Sequence, residues 1–233
     1  MMKHGIILVF CLVAHAGSQA QSILSEQLVS EQLIRMPVSE QKMSSQYEGS
    51  PYLYDTFMTS ILSMEGNGRF KLPMRYNMYR DIIEVKHRGR EMQILPNDLI
   101  HNIKINEHTL VIGDYELEKK KTRGFLFLLD SGEVSLLEKK NITFEEWRPA
   151  RAQEAGPRSA TFKASLDNFF IRSKNKITPI TSLKELANLF PHHRSQVADY
   201  IKMHKIKLKE AKLVELFQYF NTTWTQASSQ PKS

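Results

Sequence analysis

The chain has 233 residues, 41% of them hydrophobic and 24% charged, with a formal charge of +7 and one cysteine, Cys11. That length is enough for one or two ordinary cores, and a single thiol excludes a disulfide framework within the chain and a cluster of thiolate metal ligands. The positive balance is local: residues 163–212 carry eleven Lys and Arg against four Asp and Glu, while the rest of the chain after residue 20 nearly cancels.

Residues 1–20 place Lys3 before an apolar run from Gly5 to Ala14 and end in the small residues Ser18 to Ala20. This is the three-part pattern of a secretory signal peptide, so the mature chain is expected to begin near Gln21. The run is shorter than the roughly 20 residues a membrane span requires, and no later run approaches that length. Cys11 follows the bulky Phe10 inside the run, which argues against a lipid anchor there. The expectation is therefore an exported protein, periplasmic or at the cell surface or extracellular, with a cysteine-free mature chain and no transmembrane segment in it.

Residues 21–48 repeat Ser-Glu-Gln at 25, 30 and 39 and contain Pro37. Unequal spacing and many small polar residues predict a flexible or partly helical leader rather than a structural repeat.

From Tyr52 to Ile171 short apolar runs alternate with turn residues. Phe70, Leu72, Met74 and Tyr76 interleave with Arg69, Lys71, Pro73 and Arg75, the period of a strand with one face on a core. Gly66, Asn67 and Gly68 supply a tight turn before it, and Pro73 predicts an edge strand or a bulge. Further strands are expected over 82–87, 91–95, 100–105, 109–112, 124–129, 133–137, 160–163 and 168–171. Turns every 8 to 12 residues, with no helix long enough for a crossover, predict an antiparallel sandwich or open barrel-like meander. The unbroken run 125–129 predicts a strand covered on both faces, and 147–157, with two prolines and a glycine, reads as a surface loop.

After Thr178 and Pro179 the period becomes helical. Leu183, Leu186, Ala187 and Phe190 recur at helical spacing, as do Val197, Tyr200, Ile201 and His204, and then Leu213, Leu216, Phe217 and Phe220. Three short amphipathic helices of about ten residues are expected, the first capped by Ser182 with Glu185 three positions on. The predicted organisation is α+β: a signal peptide over 1–20, a leader over 21–48, an antiparallel β domain over 49–175, a short-helix unit over 176–222 and a disordered tail over 223–233.

The most distinctive segment is 72–85 (LPMRYNMYRDIIEV). Its alternation breaks at Arg80 and Asp81, which reads as a strand, a bend and a returning strand. The alternative is a glycan- or peptide-contacting patch formed by Tyr76, Asn77, Tyr79 and Arg80. Residues 49–53 (GSPYL), 72–79 (LPMRYNMY), 148–151 (RPAR), 186–191 (LANLFP), 200–202 (YIK) and 216–219 (LFQY) resemble a group of secreted, uncharacterised β-rich proteins of Bacteroidetes-type bacteria. The resemblance implies an extracytoplasmic β domain followed by short helices, and brings no known activity.

The six histidines after residue 20, namely His87, His101, His108, His192, His193 and His204, have no ligand spacing, so neither a metal nor another cofactor is expected. No Gly-x-Ser-x-Gly segment is present, and Gly66 to Gly68 lacks the Lys-Ser/Thr of a phosphate loop. Residues 183–206 could imitate a helix-turn-helix, but Pro191 in the turn and the export signal argue against nucleic acid. No catalytic residue is assigned. The reading is an exported non-catalytic binding or structural module, its partner another envelope protein or an anionic surface glycan or lipid met by the basic C-terminal helices. The alternative is an extracytoplasmic hydrolase using paired carboxylates drawn from Asp55, Asp81, Asp114, Glu145 and Glu146, which only the fold could bring together.

Overall fold

The structure is a computed structural model that describes residues 33, 36–37, 47–66, 68–150, 156–190 and 193–228. The expected signal peptide and most of the leader lie outside those residues, as do Asn67, His192 and the last five positions.

In chain order the strands begin with β1 (Met36–Pro37), β2 (Tyr47–Glu48), β3 (Met58–Met64), β4 (Gly68–Asn77), β5 (Ile82–His87), β6 (Arg90–Ile94) and β7 (Ile100–Ile105). They continue with β8 (His108–Leu117), β9 (Lys120–Asp130), β10 (Val134–Lys139), β11 (Ile142–Glu145), β12 (Ala160–Ala164), β13 (Asn168–Ser173) and β14 (Lys176–Pro179). The helices α1 (Leu183–Asn188), α2 (Arg194–Met203) and α3 (Glu210–Ser228) follow. Eleven strands form one antiparallel sheet in the order β1-β6-β5-β4-β3-β7-β8-β9-β10-β13-β14, curled into a half-barrel, and β11, β12 and β2 form a small second sheet. This is the antiparallel open meander with a C-terminal helical unit that the turn spacing predicts.

Burial explains the pattern strand by strand. On β4 the side chains of Phe70, Leu72, Met74 and Tyr76 are buried while Arg69, Lys71 and Pro73 face water. They join Leu62, Ile83, Val85, Ile103 and Phe127 in the largest cluster. Leu126, on the opposite face of β9, packs instead with Val111, Tyr115, Leu137 and Phe170. β9 is thus covered on both faces, as its unbroken apolar run predicts. β14 returns over β8, where Ile177 lies so close to Gly113 that a Cβ there would collide with it.

The helices close over β10 and β13. Val134, Leu136, Phe169 and Ile171 meet Leu186, Val197, Leu213, Leu216 and Phe217 in one cluster. Each such side chain contributes about 2 kcal/mol on burial, which helices as short as α1 and α2 require. Ser182 caps α1 by accepting the Glu185 N–H at 3.1 Å.

Several expectations are corrected. Pro73 lies on neither an edge strand nor a bulge: β4 runs between β3 and β5, with Thr59 opposite Pro73. The β4–β5 ladder stops at Met74 opposite Val85, so on that side Pro73 has no strand partner to donate to. Leu33, Met36, Pro37, Tyr47 and Glu48 fall within the expected leader, yet Leu33 is buried in the main core and the others pair with β6 and β12. Residues 176–179 are the strand β14 rather than the approach to a helix, because Thr178 and Pro179 pair with Ile171 and Phe170. The third helix continues to Ser228 instead of ending by 222, so residues 223–228 are helical and not part of a disordered tail.

Candidate functional site

The four residues of the distinctive segment do not share a surface. Tyr76 is fully buried. Asn77 is buried as well: its Nδ2 donates to Glu84 Oε1 at 3.3 Å, and its Oδ1 accepts the Arg80 N–H at 3.0 Å, which forms the bend. Tyr79 is 42% exposed and lays its ring against Phe162 at 5.3 Å, tying the β4–β5 bend to the small sheet. Arg80 is half-buried beside it.

Asp81, with φ of 54°, turns the chain and sends its carboxylate inward. The Tyr76 hydroxyl donates to Asp81 Oδ1 at 2.7 Å, and Lys139 Nζ lies 2.6 Å from the same oxygen. Lys139 also donates to the Tyr76 hydroxyl oxygen at 3.0 Å and to the Phe125 carbonyl at 3.1 Å, while the Phe125 N–H donates to Asp81 at 3.3 Å. The reason lies in the sheet: the β9–β10 pairing stops at Phe127 opposite Glu138, and beyond it an ion pair takes the place of the ladder on the β10 side of Phe125. Gly124 makes room, since a Cβ there would strike the Asp81 carboxylate. Burial holds the Tyr76 hydroxyl well above its ordinary range, with the Asp81 charge adding to the effect. Burial also pulls the Lys139 ammonium down, and Asp81 opposes that shift.

On the other face of β4, Arg75 Nε donates to Glu84 Oε2 at 2.7 Å and the guanidinium stacks 4.1 Å over the Tyr52 ring. Glu84 also accepts the Tyr52 hydroxyl at 3.3 Å. Arg75, Tyr76, Asn77, Asp81 and Glu84 are therefore engaged with one another and with Tyr52 and Lys139.

The carboxylates weighed as acid–base partners are dispersed among different bases or hydroxyls. Asp55 accepts from Ser50, Asp81 pairs with Lys139, Asp114 with Arg123 and Glu145 with Lys163. One pair that sequence spacing does not suggest does meet: Asp98 and Asp114 share the Arg123 guanidinium in a groove of about 900 Å³. Both are largely solvent-exposed, at 92% and 75%. No three His, Cys, Asp or Glu side chains gather as metal ligands among the described residues.

The helical unit treats charge differently. From the last turn of α2 to the start of α3 the chain reads KMHKIKLK over 202–209, and only Ile206 is buried. Met203 is 76% exposed and Leu208 39%, with Lys202, Lys205, Lys207 and Lys209 around them, all exposed. Beside them a groove of about 610 Å³ is lined by Tyr200, Met203, His204, Tyr219 and Phe220. The Tyr200 ring stacks on His204 at 4.0 Å and on Tyr219 at 4.6 Å, which fixes this wall. Sequence reasoning located the basic third of the chain but assigned Met203 and Leu208 no role; two apolar residues spaced among four lysines were the available signal. Asn221, part of an Asn-Thr-Thr glycosylation triplet, is buried and donates to the Val134 carbonyl at 3.0 Å, so its amide is engaged internally. No helix among the described residues is long and apolar enough to cross a membrane. Compared with protein families, curated proteins and solved structures, the chain matches none of them.

Proposed function

We propose that the protein is an exported, non-catalytic envelope-associated module that attaches to an anionic lipid surface through residues 202–209. The observation that carries this reading is the pair of exposed apolar side chains, Met203 and Leu208, set among four exposed lysines. Apolar groups that enter the headgroup region combine with lysines that meet its negative potential, and each lysine near such a surface contributes about 1 kcal/mol. The N-terminal export pattern supports the location, and the resemblance to secreted β-rich proteins agrees with it. The β domain then serves as the rigid body that the helical unit attaches.

Co-flotation with vesicles tests it. The chain from Gln21 onward is expected to float with vesicles containing phosphatidylglycerol and to stay behind with phosphatidylcholine alone. Raised salt should weaken the association, because screening shortens to a few ångströms near 1 M. Equal binding to both vesicle types, or to neither, contradicts the proposal. The competing hydrolase reading draws on Asp98 and Asp114. Their exposure and shared guanidinium describe a neutralised surface cluster rather than an acid separated from its base.

A further inference from the structure

The groove of about 900 Å³ on the sheet contains an arginine, Arg172, whose side chain has no polar partner among the described residues. Arg172 lies on β13 in a cross-strand row, with Ser135 of β10 on one side and Ile177 of β14 on the other. It is half-buried, and among the described residues it makes neither an ion pair nor a side-chain hydrogen bond. Burial alone displaces its ionisation, downward, with no carboxylate opposing the shift. Charges drawn out of water are ordinarily paired, because desolvation without a partner is unfavourable. The other groove arginine, Arg123, is fully committed to Asp98 and Asp114, and His101 lies 3.5 Å from Glu65. Arg172 therefore stays uncompensated in a groove whose acids are mostly engaged elsewhere.

The surroundings suit an oxyanion. Lys174, held at φ of 54° in the β13–β14 turn, and Asn175 line the same groove, and Ser135 is buried directly opposite Arg172. A guanidinium fork matches two oxygens of a carboxylate or phosphate, which a lysine alone does not. The groove volume falls in the range of small-ligand sites.

We propose that this groove is an oxyanion-binding site in which Arg172 receives a carboxylate or phosphate group of the ligand, with Ser135 and Lys174 completing the contact. The site lies on the sheet, away from residues 202–209, so it stands independently of vesicle attachment. Glu133, which also lines the groove, favours a ligand that carries a donor or a positive group beyond its anionic end.

Titration of inorganic phosphate, and separately of acetate, at fixed ionic strength tests the proposal by ¹H–¹⁵N NMR. Saturating shifts are expected at the Arg172 Nε–H and at the amides of Ser135 and Lys174, with Arg172→Gln weakening binding about tenfold or more. Saturation by phosphate alone assigns a phosphate ligand, and saturation by acetate alone a carboxylate. Arg172→Lys keeps the charge without the fork and should bind with intermediate affinity, which provides the comparison if the glutamine variant fails to fold. Shifts confined to Lys202–Lys209, unchanged binding by either variant, or no saturation with either anion would overturn the proposal.

Discussion

The β4–β5 bend and the α2–α3 connection are both rich in charged and amphipathic side chains, and the fold uses them in opposite ways. At the bend, Arg75 with Glu84 and Asp81 with Lys139 are desolvated and mutually satisfied, so their chemistry is spent inside the molecule. At the connection, four lysines and two apolar side chains face water. A segment conspicuous in sequence is thus structural, while a plain lysine-rich one keeps its interaction capacity. Changes at the bend should cost stability without affecting attachment, and changes at the connection the reverse.

The largest effect is expected where the helical unit meets the sheet. Phe217→Ala should destabilise by about 4 kcal/mol, read as a lower urea midpoint, because Phe217 is 1% exposed within that cluster. Lys139→Met should cost about 3 kcal/mol by leaving Asp81 without its cation. Adding Asp81→Asn should recover part of that loss, and strict additivity of the two changes would break the assignment of an ion pair. Gly124→Ala should cost about 2 kcal/mol through overpacking against the Asp81 carboxylate. None of the three should alter vesicle binding of the folded fraction.

A smaller effect sharpens the comparison through pH. Glu138 is fully buried on β10 with Lys140 Nζ 2.9 Å away, and burial raises its carboxyl above the ordinary value although Lys140 opposes the shift. A folded-state value above the unfolded one means that the contribution of this group to stability is full below the unfolded value, 4.5, and is lost as pH rises through the folded value. Glu138→Gln should therefore be more stable than the parent at pH 7, with the advantage vanishing below about pH 4.5. Thermal melts across that range check it, and an advantage that grows on acidification would contradict the sign.

Much of the fold was legible because burial writes itself as period. Ile82 to His87 and Ile100 to Ile105 have the bounds that alternation predicts, and Ser182 caps α1 as its spacing with Glu185 implies. β3 was missed because Ser60 and Ser63 interrupt an apolar pattern that only its two neighbouring strands justify. β14 was missed because four residues ending in proline carry no periodic signal, and its pairing with β13 defines it. The site was less legible. Lys139 sits in a Glu-Lys-Lys run that reads as a solvated face, and only the end of the β9–β10 pairing turns it inward toward Asp81, 58 positions earlier in the numbering. Arg172 likewise looks like an ordinary outward residue of a strand until β14 folds over that face.

The most direct test replaces Lys202, Lys205, Lys207 and Lys209 together with glutamine and follows both flotation on phosphatidylglycerol vesicles and thermal unfolding. The account predicts that flotation is lost while the melting temperature moves by no more than about 2 °C. Flotation that persists in this variant would contradict it.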